Sequence, residues 1–412
     1  MRDIALYERL LGLGPPWRIE KVDLRLEQGE VVVHVAVEEG VLWACPECSQ
    51  RMHVHDYRKR RWRHLDTCQC RTLIEARVPR VKCPEHGTVM AVVPWAEPHS
   101  RFTALFERLA IDLMRDCSIK AASKHLRLTW DECDHIKAKA VERGLGRKRE
   151  VTSRALCIDE KSVGRGHEYV TVVAKVTESG PVLDYIGDGR EEEALEGFWN
   201  ASSQAVLEQV ECVSMDMWKA YINAVEAHLP AGKQAITHDP FHIVQHMNKA
   251  VDDVRRQEVN LLSYEEGKAL KGTRQMWLYG FENLPEKWEE RLRAMKDSQM
   301  KTARAWRLKE TLRAMYQCET VAQAGALFTQ WYRDAMRSKL GPVKRVARML
   351  KNHLPQVLSY FIHRISNAYS EGMNSIIQAL IKRANGYRSR ERLKRDLFFH
   401  LGALDLYPSI AK

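Results

Sequence analysis

The sequence lacks any long uncharged hydrophobic run. No apolar run approaches the roughly 18 residues that a membrane-spanning helix needs. The first residues, MRDIALYERLLGLG, carry charges at Arg2, Asp3, Glu8 and Arg9, whereas a signal peptide has an uncharged core. We therefore expect a cytoplasmic protein that does not use a membrane.

Cysteine and acidic residues are also in short supply. Ten cysteines in 412 residues are too few for a disulfide scaffold, so we expect free thiols or metal ligands. The chain is 45% hydrophobic and 29% charged, which excludes a disordered or low-complexity chain. Lys and Arg number 65 against 54 Asp and Glu, giving a net charge of +11. This balance favours an anionic partner, and nucleic acid is the commonest large one.

The texture of the sequence predicts several domains. Three strand-like runs between 151 and 188 are followed by a helix, a strand, a helix and a fifth strand, which predicts a mixed sheet packed by helices. The fold class is therefore α+β and multidomain. We expect a β-rich domain over 1–100, a helix-turn-helix over 101–147, a sheet domain over 148–244, a helical stretch over 245–358 and a basic helical end over 359–412.

Two short near-copies, CPEC at 45–48 and CPEH at 83–86, predict a structural zinc site. Zinc prefers four nitrogen or sulfur ligands in a tetrahedron, and two such turns supply them. The expected ligands are Cys45, Cys48, Cys83 and His86. The alternative is a set of buried cysteines with a surface histidine. We interpret Cys68 and Cys70 as neighbours on one strand face, in the core or packed around the ligands.

The segment from 103 to 144 predicts three short helices. Ser118 can cap a helix over 119–126, and Thr129 with Glu132 forms a capping box for the next one, which we expect to stop at Gly144. Two helices joined by a short turn and preceded by a third match a helix-turn-helix. The alternative is an ordinary small helical subdomain.

Basic side chains occur in three runs that we expect to contact DNA phosphates, although a charge run is also compatible with a solvated surface. The first run lies near the CPEC motif, the second in the helix-turn-helix and the third near the C-terminus. Their members are Arg58, Lys59, Arg60, Arg61 and Arg63, then Lys120, Lys124 and Arg127, then Lys382, Arg388, Arg390, Arg392 and Lys394.

Three carboxylates are candidates for a catalytic site. Asp159 and Asp216 each follow an apolar strand, and ligand sites of open sheets collect at strand ends. Glu371 lies on the polar stripe of a helix that could face those ends. Converging carboxylates suit Mg²⁺, and two such ions can serve a phosphodiester displacement. Each residue alone is equally compatible with a turn or a solvated surface, and Asp239, which follows another strand, is a rival for the second position.

Several strings resemble the catalytic blocks of bacterial insertion-sequence DDE transposases, most closely those of the ISL-three (ISL-type) family. The strings are IDEKSVGRGHEYVT, VSMDMWKAYINAV, HDPFHIV and SNAYSEGMNSIIQALIKRANGY, together with CPEHGTVMAVVPWAEPHSRFT and the first cysteine motif. The resemblance implies a zinc ribbon, a helix-turn-helix and an RNase-H-like domain with an all-helical insertion. It also implies a triad of Asp159, Asp216 and Glu371 that holds two Mg²⁺ ions, for which Mn²⁺ can substitute. It favours Asp216 over Asp239 and places Asp239, His242 and Asn374 near the active site.

The predicted function is DNA transposition. Such an enzyme binds the terminal inverted repeats of its element, cleaves a strand and joins the freed 3′-hydroxyl to target DNA. We expect the third basic run, which directly follows the helix of Glu371, to hold the DNA backbone near the ions. Since two ends must be paired, we expect a homodimer or larger, associated with the bacterial nucleoid when bound to DNA. The alternatives are a DNA-binding regulator with an inactive catalytic domain and a structure-specific nuclease.

Overall fold

The computed structural model describes residues 3–163, 168–262, 270–365 and 368–409. The chain forms two compact units, Met1–Lys148 with Arg383–Lys412, and Arg149–Lys382. The predicted boundary at 359 differs from this division, because the chain end from Arg383 packs in the first unit. Within the described ranges, no helix is both long enough and apolar enough to cross a membrane.

The first unit begins with a twisted sheet and a short helix. Its elements are α1 (Asp3–Leu11), β1 (Trp17–Arg25), β2 (Glu30–Val37), β3 (Trp43–Ala44), β4 (Arg51–Met52), β5 (Asp56–Thr67), β6 (Cys70–Cys83) and β7 (Gly87–Met90). The sheet order is β1-β2-β6-β5, with β7 also paired to β6, and β3 and β4 form a separate pair. The core holds Trp17, Trp62 and Trp95, whose rings meet edge to face with centroids 4.9 and 5.4 Å apart.

The interpretation of Cys68 as a strand neighbour of Cys70 is wrong. Cys68 and Gln69 form the turn between β5 and β6, with φ of 49° and 68°, and the Cys68 side chain is exposed. Cys70 is half-buried and packs against the sheet core. A positive φ at both turn positions allows a two-residue hairpin, and such a turn points its side chains to solvent.

The rest of the first unit is helical. Its elements are α2 (Ala104–Asp116), α3 (Ile119–Leu126), α4 (Trp130–Arg147) and the last helix, α16 (Arg390–Leu401). The predicted caps are confirmed, because Ser118 accepts the Ala121 N–H and Thr129 with Glu132 forms a complete capping box. The helices share one core with the chain end, which contributes Phe399, Leu404 and Leu406.

The expected helix stop at Gly144 is wrong, since α4 continues to Arg147. The glycine is needed for close packing instead. A Cβ at position 144 would lie 2.7 Å from Leu404 Cβ, which is closer than two carbon atoms can approach.

The second unit contains a five-stranded sheet and the predicted strands. Its elements are β8 (Ala155–Ser162), β9 (Tyr169–Thr177), β10 (Gly180–Asp188), β11 (Cys212–Met215), β12 (Ile236–His238), α5 (Glu193–Ala201), α6 (Gln204–Leu207) and α7 (Lys219–His228). The order is β10-β9-β8-β11-β12. The pairs β10–β9 and β9–β8 are antiparallel, whereas β11 is parallel to both β8 and β12. This arrangement sets the carboxyl ends of β11 and β12 beside the second half of β8, and this end of the sheet is called the strand edge below.

A helical region follows β12. Its elements are α8 (Pro240–Leu261), α9 (Arg274–Leu278), α10 (Glu286–Met295), α11 (Lys301–Met315), α12 (Val321–Arg337), α13 (Gly341–Asn352) and α14 (Leu354–His363), and after it comes α15 (Ala368–Ala384). The core of this region includes Trp277, Phe328 and Trp331. Lys309 is fully buried and donates to the carbonyls of Trp277 and Tyr279, at 2.9 and 2.8 Å, at the end of α9. The sequence prediction of a strand-free region over 245–358 holds for all of its described residues.

Candidate active site and metal-ligand cluster

The two candidate aspartates lie on adjacent parallel strands, Asp159 within β8 and Asp216 directly after the last residue of β11. The expectation that Asp159 follows its strand is wrong, because β8 continues to Ser162 through its pairing with β9. β11 pairs with β8 in a register that sets Ser214 opposite Cys157. Continuing that register by two residues places Asp216 beside Asp159. The carboxylates are held alike, because each accepts the N–H of the next residue: Glu160 N to Asp159 Oδ1 at 2.8 Å, and Met217 N to Asp216 Oδ1 at 2.6 Å. The predicted convergence of these two residues is thus present.

Helix α15 meets this strand edge through one hydrogen bond. The side-chain amide of Asn374 donates to Asp159 Oδ2 at 2.6 Å. Position 371 is three residues earlier in α15. The side chain of Glu371 itself lies outside the described residues. The bond from Asn374 therefore ties α15, the helix that bears Glu371, to Asp159.

The electrostatics of the strand edge is that of crowded carboxylates. Burial raises the pKa of Asp159, and the neighbouring Asp216 raises it as well, while His242 and the two bound donors lower it. Burial also raises the pKa of Glu160, which both aspartates raise further. Glu160 was missed by the sequence reasoning, although it follows Asp159 directly. The Glu160 carboxylate lies 3.8 Å from the guanidinium of Arg190. That guanidinium in turn lies 4.7 Å from the centre of the Trp218 ring.

Asp239 lies one strand further along the same edge. β12 pairs with β11 so that His238 is opposite Met215, which places Asp239 next to Asp216. Asp239 is buried at the N-cap position of α8, with Pro240 at the first helical position. Asp216 therefore lies between the other two aspartates, and Asp239 is the more remote from Asp159.

Two histidines flank this row of aspartates. His242, in the first turn of α8, influences the pKa of Asp159 and so lies within electrostatic reach of it. His238 is buried, and its Nδ1 lies 3.3 Å from the carbonyl oxygen of Met215. Burial lowers the pKa of His238 to about 4. His238 is thus a neutral side chain that packs under the edge, and the sequence carried no signal for it beyond its place at a strand end.

The donor set at the edge fits a hard divalent cation. Mg²⁺ takes oxygen ligands and is commonly bound by one or two carboxylates with waters and substrate phosphates. A carboxylate whose pKa is raised by a neighbouring carboxylate, as Asp159 is, is also stabilised by a nearby cation, because the cation offsets the repulsion. Asp159 and Asp216 supply such oxygens from the described residues.

The predicted zinc ligands form a compact cluster in the first unit. One ligand atom from each of Cys45, Cys48, Cys83 and His86 lies within 4.8 Å of the others. The sulfurs of Cys48 and Cys83 are 3.6 Å apart, and His86 Nδ1 is 3.5 and 3.8 Å from the sulfurs of Cys83 and Cys45. A Zn–S bond of about 2.3 Å gives roughly 3.8 Å between sulfurs at tetrahedral corners. The spacing is that of a four-ligand zinc site.

Ionisation of Cys83, one of the four ligands, favours metal binding, although the pKa values of Cys48 and His86 are raised by their neighbours in the cluster. Hydrogen bonds from the backbone and side chain of His86 lower the pKa of Cys83 to about 6, although partial burial opposes them. Zinc binds the thiolate, so a lowered thiol pKa assists its binding at neutral pH.

The first basic run is largely engaged within the protein. Arg63 is buried, donates to the carbonyls of His64 and Thr72, and pairs with Asp66. A guanidinium so enclosed cannot also reach a phosphate, so the prediction that Arg63 contacts DNA is wrong. Lys59 and Arg61 both pair with the buried Glu75. Arg60 donates to the Ser100 carbonyl at 3.2 Å, whereas Arg58 is exposed.

The other two basic runs are more exposed. Lys120, Lys124, Lys382, Arg388 and Arg390 are exposed. Lys394 is half-buried and faces Glu391 at 3.8 Å.

Two of these cations make contacts in the first unit that hold them in place. Arg127, in the turn between α3 and α4, donates to the Gln69 carbonyl at 3.0 Å. Arg392 pairs with Asp134 at 3.4 Å.

Comparison with known proteins gives the same domain order. Residues 156–397 match the family model of the ISL3 transposase, residues 42–86 the zinc finger of transposases IS204/IS1001/IS1096/IS1165, and residues 91–136 the helix-turn-helix domain of transposase family ISL3. The chain is 27% identical to the transposase for insertion sequence element IS1557 of Mycobacterium tuberculosis, covering 95% of this chain and 94% of that protein. It is 24% identical to the transposase for element IS1001 of Bordetella parapertussis, covering 95% and 96%.

Proposed function

The chain belongs to the ISL3 family of insertion-sequence transposases, with a zinc ribbon and a DNA-binding helix-turn-helix, and we propose that it binds the terminal inverted repeats of its element and catalyses metal-dependent strand cleavage and strand transfer. The observation that carries this proposal is the strand edge. Asp159 and Asp216 lie side by side, and Asn374 bonds the helix that bears Glu371 to Asp159. The first unit recognises the ends, and the second performs the chemistry.

The catalytic fold in this proposal is RNase-H-like. Three antiparallel strands followed by two strands parallel to the first, in the order β10-β9-β8-β11-β12, support that assignment. The helices α8 to α14 then form an insertion between the fifth strand and the helix of the third carboxylate. The strand order also explains why residues 57 positions apart, Asp159 and Asp216, come together.

Asp159, Asp216 and Glu371 would hold two Mg²⁺ ions, with Mn²⁺ as a substitute. When bound, a pair of ions stabilises charge on the attacking and leaving oxygens of a phosphodiester displacement. Asn374 and the Glu160 N–H fix the two oxygens of Asp159, so that this carboxylate is oriented before substrate arrives. Water breaks the P–O bond at the element end and leaves a 3′-hydroxyl. That hydroxyl then attacks a target phosphate and releases the target strand's own 3′-hydroxyl, with no protein nucleophile.

The first unit would use one structural zinc ion on Cys45, Cys48, Cys83 and His86. The three helices α2 to α4 would place α4 on the end DNA, as the second helix of a helix-turn-helix does. A homodimer or larger assembly is part of the proposal, because both ends must be joined to the same target.

The decisive experiment compares end binding with cleavage and joining in isosteric variants. Asp159→Asn, Asp216→Asn and Glu371→Gln each remove one charge without changing size. We expect each to lower cleavage and joining together by several orders of magnitude while end binding survives. Asp239→Asn is the control, because Asp239 lies further from Asp159.

Each contrary outcome identifies a different protein. If Asp239→Asn abolishes cleavage and Asp216→Asn does not, the second carboxylate is Asp239. Wild-type protein that binds ends but never cuts them in Mg²⁺ or Mn²⁺ is a regulator. Protein that cuts but never joins ends is a nuclease.

A further inference from the structure

A cleft in the first unit is lined by residues from two distant parts of the sequence. It has a volume of about 540 Å³. One wall is made by the first turns of α3 and α4, including Lys120 and Trp130. The other wall is the segment Arg383–Arg392, which joins the end of α15 to the start of α16. The fold thus places this basic segment, which follows the helix of Glu371 in sequence, beside the helix-turn-helix.

The two walls are fixed to one another by buried polar contacts. Lys137 of α4 pairs with Asp396 of α16 at 2.5 Å, and both are buried. The Tyr387 hydroxyl also donates to Asp396. Arg383 donates to the carbonyl of Arg115 at 3.3 Å, at the end of α2. These contacts make the cleft a preformed part of the unit, so that a ligand need not order it.

An exposed aromatic ring lies in the cleft. Trp130 is 39% exposed. The structure describes all eleven tryptophans, and the other ten are buried or half-buried. The guanidinium of Arg392 lies 4.8 Å from the centre of its ring. Arg392 is held there by Asp134 at 3.4 Å. A tryptophan backed by an arginine is a stacking platform for a flat ring, and nucleic-acid bases stack on such platforms regardless of sequence.

The cleft also offers free positive charge. Five cations and three carboxylates line it. Lys137 and Arg392 are paired with Asp396 and Asp134. Lys120 and Arg388 are exposed, and among the described residues neither side chain has an ion pair or hydrogen bond. They are therefore available for a phosphate, while Asp131, the remaining carboxylate, can accept a hydrogen bond from the amino group of a base.

The volume sets the size of the ligand. Cavities of roughly 300–1,000 Å³ hold molecules of the size of a drug or a single nucleotide. A base within a duplex cannot stack on Trp130 in this cleft, because both of its faces are already covered by the neighbouring base pairs. The exposed ring of Trp130, the available cations Lys120 and Arg388 and the volume of the cleft thus all indicate a single nucleotide as the ligand.

We propose that the cleft between the first turns of α3 and α4 and the segment Arg383–Arg392 binds one unpaired nucleotide of end DNA, with its base on Trp130 and its phosphate on Lys120 and Arg388. This assignment rests on the proposed function, since strand cleavage is what leaves unpaired nucleotides next to the recognised end. It makes the segment after α15 part of end recognition.

The test compares the binding of three end-DNA duplexes to the full-length protein. One duplex is blunt, the second has a short single-stranded 5′ extension and the third a short single-stranded 3′ extension. Affinity is measured by fluorescence anisotropy without added divalent cation, so that cleavage plays no part. Wild-type protein should bind one extended duplex about tenfold more tightly than the blunt one, because a stacked base adds roughly 1–3 kcal/mol. Trp130→Ala should abolish that preference, whereas Trp130→Phe should retain most of it.

A second variant protects the test against misfolding. Arg388 is exposed, so Arg388→Ala should fold normally and lower the salt dependence of binding to the preferred extended duplex by roughly 0.7 in logarithmic slope. Arg18→Ala is the matched control, because Arg18 is exposed on β1 in the same unit but does not line the cleft. The proposal is overturned if wild-type protein shows no preference for an extension, or if Trp130→Ala weakens the binding of all three duplexes equally. The second outcome would mean that Trp130 contacts duplex DNA. Because the assay measures binding alone, it tests the cleft even if the protein cannot cleave DNA. Failure of this proposal is therefore distinguishable from failure of the proposed function.

Discussion

Asn374 is the residue that ties helix α15 to the strand edge. Its amide donates to Asp159 Oδ2, and the other oxygen of Asp159 is held by the Glu160 N–H. A carboxylate held at both oxygens keeps one orientation. Residues that orient metal ligands are commonly worth 10–100-fold in metal affinity or activity.

We expect Asn374→Ala to lower cleavage about 10–100-fold while leaving end binding intact, because Asp159 would lose the donor that orients it. The measurement is the rate of end cleavage at saturating DNA across a series of Mg²⁺ concentrations. Gln378→Ala is the matched control, since Gln378 is exposed one turn further along α15. Equal rates for the Asn374 variant and wild type would show that the hydrogen bond has no role in catalysis.

The helix caps and strands were predictable at the level of elements, because their signals are local. Ser118 and the capping box of Thr129 and Glu132 are short-range patterns that tertiary packing did not override. Gly144 was wrongly predicted to end α4, because the role of this glycine depends on a residue that is distant in sequence. The glycine admits Leu404, a residue 260 positions away, and no window of sequence around α4 contains that information.

We expect Gly144→Ala to lower the free energy of unfolding of the first unit by about 1–2 kcal/mol. The added methyl group would overlap Leu404, and overpacking typically costs about 1–3 kcal/mol, which exceeds the gain of up to ~1 kcal/mol from helix propensity. Gly146→Ala provides the contrast, because it lies in the same helix with no atom within 4 Å of its Cβ position. That variant should be slightly stabilised in urea unfolding. Equal effects would contradict the packing explanation.

The zinc ribbon allows a second test at this scale. We expect purified protein to carry about one zinc ion per chain, and Cys48→Ser to lose it and with it end recognition, because zinc sites of this kind contribute directly to folding. Cys68→Ser is the control, since Cys68 is exposed in the β5–β6 turn. Elemental analysis gives the zinc content, and an electrophoretic shift assay gives the binding. Folded wild-type protein without zinc would disprove the assignment.

At the scale of the whole molecule, the last residues of the chain belong to the same compact unit as the first ones. From the sequence, the basic C-terminal segment was expected to lie beside the catalytic carboxylates, because it follows their helix directly. The structure groups residues from Arg383 with Met1–Lys148. Proximity in sequence could not indicate this grouping, since α16 packs on α4, a helix some 250 residues earlier. The helical region and the sheet, whose contacts are nearer in sequence, were predicted in the right order.

The C-terminal segment is therefore expected to be required for the stability of the N-terminal unit. Phe399, Leu404 and Leu406 are buried in one core with α2, α3 and α4. Burial of a large apolar side chain stabilises a fold by about 1.5–3 kcal/mol, so the three together supply roughly 5–9 kcal/mol, which is comparable to the whole stability of a domain. The segment also brings Asp396, the carboxylate with which the buried Lys137 is paired.

We therefore expect a fragment of residues 1–148 to unfold at much lower urea concentration than the same fragment joined through a flexible Gly/Ser linker to residues 383–412. Both are followed by circular dichroism in the presence of zinc, so that the ribbon is formed in each. The joined fragment carrying Leu406→Ala is the control for the linker, and it should lose about 2–5 kcal/mol relative to the joined fragment. If residues 1–148 alone are as stable as the joined fragment, the chain end is only attached to the unit and does not complete its core.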